Sequence, residues 1–245
     1  MEAFFNSSNW REYINDDNNF NQEVPFDFKS ISFKLQKASL VPDKLNPFYT
    51  ISSIFDFTKI FSKISSALGM GFSDITTKSQ IMRERFREYP DATDIQYLLN
   101  RELELGIHTL NGENNKSLGH KKDKYAKYVS ASRTFLRLLW FLEYLIDIFE
   151  NVLKDDGNEG IKKILGDSYE RVLAPHHSFL VKRAVGIALS FSNTGSVAHI
   201  VKLIFGFNEY NHEARRQIQD TVDLMKIIWN GGNEFYEKND LLGLG

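Results

Sequence analysis

The chain has 245 residues, with 42% hydrophobic and 25% charged side chains and a formal charge of -2. That length supports a large core, and the near-neutral charge excludes the strongly basic signature of a general nucleic-acid binder. Cysteine is absent, which removes disulfides, thiol chemistry and cysteine zinc sites and fits a reducing compartment. The polar, acidic opening residues carry no secretory leader pattern. The longest apolar stretches, Leu138 to Leu142 and Ala184 to Leu189, are far shorter than a membrane span.

Residues 1–29 are rich in Asn, Asp and Phe without a sustained period, and read as an extension, partly disordered or laid on the surface. Residues 30–245 read as a single domain. A short helix is expected over 30–39, followed by the punctuation of Pro42, Asn46 and Pro47. From Phe48 to Leu68 the residues Ile51, Ile54, Phe55, Phe61, Ile64 and Leu68 recur at helical spacing. A helix over 73–87 follows, then Pro90, then a helix over 94–109 capped from Asp91 to Asp94. The polar segment 111–122 reads as a loop, and a long helix is expected over 124–153. Helices over 161–174 and 178–192 are separated by Pro175, and further helices are expected over 197–204 and 209–237, the last disturbed at Gly231–Gly232. No strand-like alternation survives, so the fold class is all-α, with about eight helices in layers around one core.

Two charged one-turn repeats stand inside this apolar helical sequence. Asp74 and Lys78 are four residues apart, and so are Arg133 and Arg137, so each pair shares a helix face. If the two faces meet, three cations and one carboxylate surround a small anionic group with apolar residues beyond it. Each pair has a plainer reading. Asp74–Lys78 also fits a surface ion pair worth a few tenths of a kcal/mol. Arg133, Arg137, Glu143 and Asp147 also fit a narrow solvent stripe on a helix otherwise apolar all round. His176–His177 lies between Pro175 and an apolar helix, where a histidine can donate to a ligand carbonyl or simply sit exposed. Lys121, Lys122, Lys124 and Lys127 form a basic run that reads as a headgroup fringe or a solvated face. No phosphate loop, nucleophile elbow or zinc motif occurs, so neither catalysis, a metal nor a cofactor is expected.

At these residues the chain resembles the glycolipid transfer protein superfamily. The resemblance rests on FSDITTK (72–78), SASRTFLRLLWFLEYL (130–145) and DSYERVLAPHHSFLVKRAV (167–185), in the family's order, and covers roughly residues 45–240. It implies a two-layer all-α sandwich whose layers part to admit lipid chains, and an activity of carriage without chemistry. It also implies that Asp74 binds the sphingoid amide and hydroxyl, His177 the acyl carbonyl, and Lys78 the headgroup. Glycolipid carriers of the family have tryptophan at the position of Arg137. The ceramide-1-phosphate branch has arginine there and one turn earlier, as Arg133 is here, with a further cation where Lys124 stands. The chain is therefore similar to that branch, and a phosphosphingolipid is the expected cargo. A sensor of the same fold and a neutral glycolipid carrier are the alternatives.

Expected chain-pocket residues are Phe55, Phe61, Trp140, Tyr144, Val181, Val185 and Leu189. Phe179, Lys182 and Arg183 are expected to touch the membrane, transiently and from the cytoplasmic side, with the protein acting as a monomer and binding no nucleic acid. The chain departs from the family at Phe179, where tryptophan is usual, at Glu143, where the phosphate branch often has a basic residue, and in its N-terminal extension.

Overall fold

The computed structural model describes residues 10–15, 28–64, 69, 72–112, 125–191 and 195–244. Among them are ten α-helices and no strand; the only bridges, Asn111 with Val129 and Gly160 with Ser196, are isolated. The helices are α1 (Trp10–Asn15), α2 (Phe28–Ala38), α3 (Pro47–Ile64), α4 (Ser73–Glu88), α5 (Ile95–Leu105), α6 (Ala131–Lys154), α7 (Ile161–Ser168), α8 (Phe179–Phe191), α9 (Val197–Phe205) and α10 (His212–Lys238). They form a two-layer helical sandwich. The long helix α6 packs against α10, α4, α7 and α5, while α3 packs against α2, α4 and α9.

Local chemistry fixes most boundaries. Asp94 accepts from the Tyr97 amide at 2.7 Å, and α5 ends at Leu105, four residues before the expected end, capped by Gly106 with φ 68°. Ser130 accepts from the Arg133 amide at 3.1 Å and starts α6 at Ala131, later than its helix-forming run suggests. The preceding residues 125–127 form a turn. Glu102 of α5 completes that N-terminus. Its buried carboxylate accepts from the Ala131 and Ser132 amides at 2.6 and 2.8 Å, from the Ser132 hydroxyl at 2.6 Å and from Tyr128 at 2.7 Å. Burial pushes the Glu102 pKa up, and these donors pull against it.

Helix α10 is unbroken at Gly231–Gly232. There the glycines serve close approach: a Cβ on Gly231 would stand 2.4 Å from the Pro42 carbonyl oxygen, and one on Gly232 would meet the Leu139 methyls at 2.8 Å. Part of the N-terminal segment is also built into the core. Trp10 and Ile14 of α1 are buried, and the Trp10 ring meets Phe86 edge-on at 5.7 Å. Arg83 and Arg87 of α4 donate to the Ile14 and Asn15 carbonyls at 3.1 and 2.9 Å, satisfying the C-terminal end of α1. No helix among the described residues is long and apolar enough to cross a membrane.

A cationic cavity between helices

Between α4, α6, the α7–α8 connection and α8 lies a cavity of about 480 Å³, within the range of small-molecule sites. Asp74 and Lys78 from α4, Arg137 and Trp140 from α6, His176 and His177 from the connection, and Val181, Val185 and Leu189 from α8 all line it. The two helix faces identified from spacing therefore do meet.

Asp74 and Lys78 form an ion pair, but not a plain surface pair. The carboxylate is 66% exposed while the lysine side chain is only 14% exposed, directed into the wall. Burial lowers the Lys78 pKa; Asp74 opposes this, and Arg137 adds to it from across the cavity. Burial likewise lowers the Arg137 pKa, helped by Arg133, with Asp74 pulling the other way. Cations on two helices thus share one partly dehydrated space, which is chemistry suited to an anion. Arg133 does not line the cavity; its carbonyl accepts from Arg137 Nη1 at 3.4 Å, and its charge is felt there. Lys124 lies outside the described residues, as do Lys121 and Lys122.

Placement of the histidines depends on a break in helical geometry. After α7 the chain passes through a π-helical turn, Tyr169–Leu173, and a 3₁₀ turn, Ala174–His176. At His177 the backbone becomes extended, with φ -107° and ψ 144°. His177 Nδ1 lies 3.0 Å from the Tyr169 hydroxyl, which fixes the ring. Its pKa is lowered chiefly by burial. His176 stacks on Trp140, with centroids 3.7 Å apart and planes 8° from parallel.

The apolar wall differs from expectation on α3. Phe55 does not line the cavity; it is partly buried against the core, with the Lys59 ammonium 5.4 Å from its ring centre. Phe61 is inward but stands one ring deeper, behind Phe72. Residues 55 and 61 are six apart on a helix, so they cannot share a face. Trp140, Tyr144, Val181, Val185 and Leu189 do line the cavity. So do Phe72, Phe141, Tyr169 and Leu173, which spacing did not single out. Phe141 follows Arg137 by four residues and was readable from that; Tyr169 needed the π turn.

Helix α8 is unusual for its sequence. It is predominantly apolar, yet Phe179 and Leu180 are 75% and 76% exposed and Ile187 is 50% exposed. Lys182 and Arg183 are exposed beside them. Glu143 and Asp147 flank the other side of the α6 face. Trp229 hydrogen-bonds Glu143, and Arg171 donates to Asp147 at 2.7 Å.

The described residues thus form an all-helical sandwich with a side cavity lined by Lys78 and Arg137 together with apolar side chains. The family model described as Glycolipid transfer protein (GLTP) matches residues 45–197, and the chain belongs to that family. It is 22% identical over 176 residues to accelerated cell death 11 of Arabidopsis thaliana, covering 72% of this chain and 77% of that protein. The fold is similar to human ceramide-1-phosphate transfer protein in complex with 2:0 ceramide-1-phosphate, at TM-score 0.75 and 19% identity, covering 91% of this chain and 100% of that one. It is also similar to a variant of Arabidopsis accelerated cell death 11 complexed with C12 ceramide-1-phosphate, at TM-score 0.69 and 16% identity, covering 91% and 99%.

Proposed function

We propose that this protein takes a phosphosphingolipid, best matched by ceramide-1-phosphate, from one membrane and carries it to another without chemical change. One observation carries the reading: Lys78 and Arg137, from separate helices, line a single, largely apolar cavity together with His177. A phosphate monoester satisfies both cations. Arginine supplies planar paired donors and lysine a point charge. Asp74 can accept from the amide and hydroxyl of the sphingoid base. In the tautomer whose Nδ1 accepts from the Tyr169 hydroxyl, His177 carries its proton on Nε2 and can donate to the acyl carbonyl. A neutral sugar would leave Arg137 to share Asp74 with Lys78 as its counter-charge, which disfavours it. The ceramide-1-phosphate complexes of the two relatives support the same cargo.

Enclosing the chains supplies most of the affinity, at roughly 0.8 kcal/mol per buried CH₂. Docking falls to α8, whose exposed Phe179 and Leu180 would enter the bilayer edge while Lys182 and Arg183 meet anionic headgroups. Phenylalanine at 179 lacks the indole donor of an interfacial tryptophan, which favours release after docking.

The test is Arg137→Leu in vesicle-to-vesicle transfer of ceramide-1-phosphate. Loss of charge-assisted hydrogen bonds should reduce transfer by about a hundredfold with helicity retained. Normal transfer by the folded variant overturns the assignment. Measuring equilibrium binding in parallel separates a carrier from a sensor that binds and does not transfer.

A further inference from the structure

The cavity beneath Arg137 includes three rings in its wall: Phe72, Phe141 and Tyr144. Phe61 stands directly behind them. Its ring centre lies 4.0 Å from Phe72, 6.0 Å from Phe141 and 6.2 Å from Tyr144. Phe61 also lines a second chamber of about 30 Å³, formed by residues of α3, α6, α7 and α9. Every side chain around that chamber is apolar, including Ile148, Leu165, Val201 and Ile204. A space of that kind offers water no partners and accepts apolar guests. One layer of rings therefore separates a large outer cavity from a small, dry inner one.

The rings are not equally fixed. The Tyr144 hydroxyl donates to the Leu165 carbonyl at 3.2 Å, which pins it. Phe61 is 2% exposed in the body of α3. Phe72 occupies the N-cap position of α4, with φ -102° and ψ 11°, and is only partly buried. It can swing without disturbing a helix interior. Beyond the inner chamber the wall is thin: α9 spans nine residues, and its Leu203 is 43% exposed.

We infer that the Phe61–Phe72 contact is a partition that sets the hydrocarbon chain length the protein accepts. The inference rests on the lipid-carrier reading above. A short chain ends within the outer cavity. A longer one must part Phe72 from Phe61, enter the inner chamber and press α9 outward. Only the long chain bears the cost of separating the rings, so the partition acts as a length filter independent of the headgroup.

The experiment is native mass spectrometry of the full chain after exposure to vesicles with equal amounts of lauroyl and lignoceroyl ceramide-1-phosphate. The readout is the ratio of long- to short-chain complexes. Phe72→Ala removes the ring pair and should raise that ratio roughly three- to tenfold, the range an aromatic contact spans. Val201→Leu adds a methylene to the inner chamber and should lower it, and should cancel the gain in the double variant. An unchanged ratio in both single variants overturns the inference, as does an equal loss of both lipids with the ratio preserved. Absence of any bound sphingolipid on the unaltered protein overturns the carrier reading and the partition with it.

Discussion

Gly231 and Gly232 hold α10 against two different surfaces, and replacing each by alanine should give opposite-sized effects. In a helix interior Gly→Ala gains about 1 kcal/mol from propensity alone. At Gly232 the new methyl would meet Leu139 Cδ1 and Cδ2 at 2.8 Å. A leucine side chain can rotate, and strain of about 1 kcal/mol or somewhat more offsets the helix gain. Gly232→Ala should therefore change stability by less than about 1 kcal/mol. At Gly231 the obstacle is backbone: the Pro42 carbonyl oxygen at 2.4 Å, where ordinary contact begins at 3.4 Å. Something must move by about 1 Å, and the loop is tied. Gln96 donates to that carbonyl at 3.2 Å and to the Gly231 carbonyl at 3.3 Å, and accepts from the Leu45 amide at 2.8 Å. Breaking this buried clamp costs about 1–3 kcal/mol per orphaned group. Gly231→Ala should therefore lose about 2–3 kcal/mol net, or roughly 5–10 °C in Tm for a chain of this size. Urea unfolding of both variants with unchanged m is the assay. A Gly231→Ala protein as stable as Gly232→Ala would refute the claim that glycine is there for backbone contact.

Three further outcomes follow from the site and its supports. Burial lowers the His177 pKa; Asp74 opposes this, and His176, Lys78 and Lys182 reinforce it. A base held below its ordinary value contributes stability that is present above a pH of about 6.5 and lost as pH falls through the folded pKa. Thermal melts from neutral to mildly acidic pH should show that decline, shallower in His177→Gln; parallel curves would refute it. Tyr169→Phe removes the 3.0 Å partner of His177 and should weaken ceramide-1-phosphate binding about fivefold by calorimetry, with the circular dichroism unchanged. Trp10→Ala should cost about 3 kcal/mol in urea unfolding, because the ring is buried against Phe86; a loss under 1 kcal/mol would mean that α1 is a passive appendage.

Much of the helical frame was legible because its periodicity and punctuation agree. Pro47 opens α3, and Asn46 accepts from the Tyr49 amide at 3.2 Å. Asp94, Ser196 and Asn211 cap three other helices, as their residue types suggest. The misplaced start of α6 has a tertiary cause. Lys124 to Val129 contains good helix formers, but Glu102 captures the amides of Ala131 and Ser132 from another helix. No local pattern announces a cap supplied from that far along the chain. The Gly231–Gly232 pair misleads for the same reason: in isolation it weakens a helix, and only contact with Pro42 and Leu139 explains it.

The site was half legible, and the missing half is a matter of which faces meet. Four-residue spacing places Asp74 with Lys78 and Arg133 with Arg137, yet it is silent on whether those faces see water or each other. The arrival of α4 against α6 decides it, and the cost is visible in both cations. Lys78 and Arg137 lose hydration, and each has a second cation within electrostatic reach. Among the described residues Asp74 is the one carboxylate facing both cations there and is already paired with Lys78, so the arrangement keeps an excess of positive charge that works against folding. A phosphate-bearing ligand removes that penalty, and linkage requires the relief to appear as stability. Ceramide-1-phosphate should therefore raise Tm more than ceramide, which offers the same hydrocarbon and no charge. The excess should largely disappear in Arg137→Leu. Equal stabilisation by both lipids would mean that the cavity binds chains alone and that the cations are incidental.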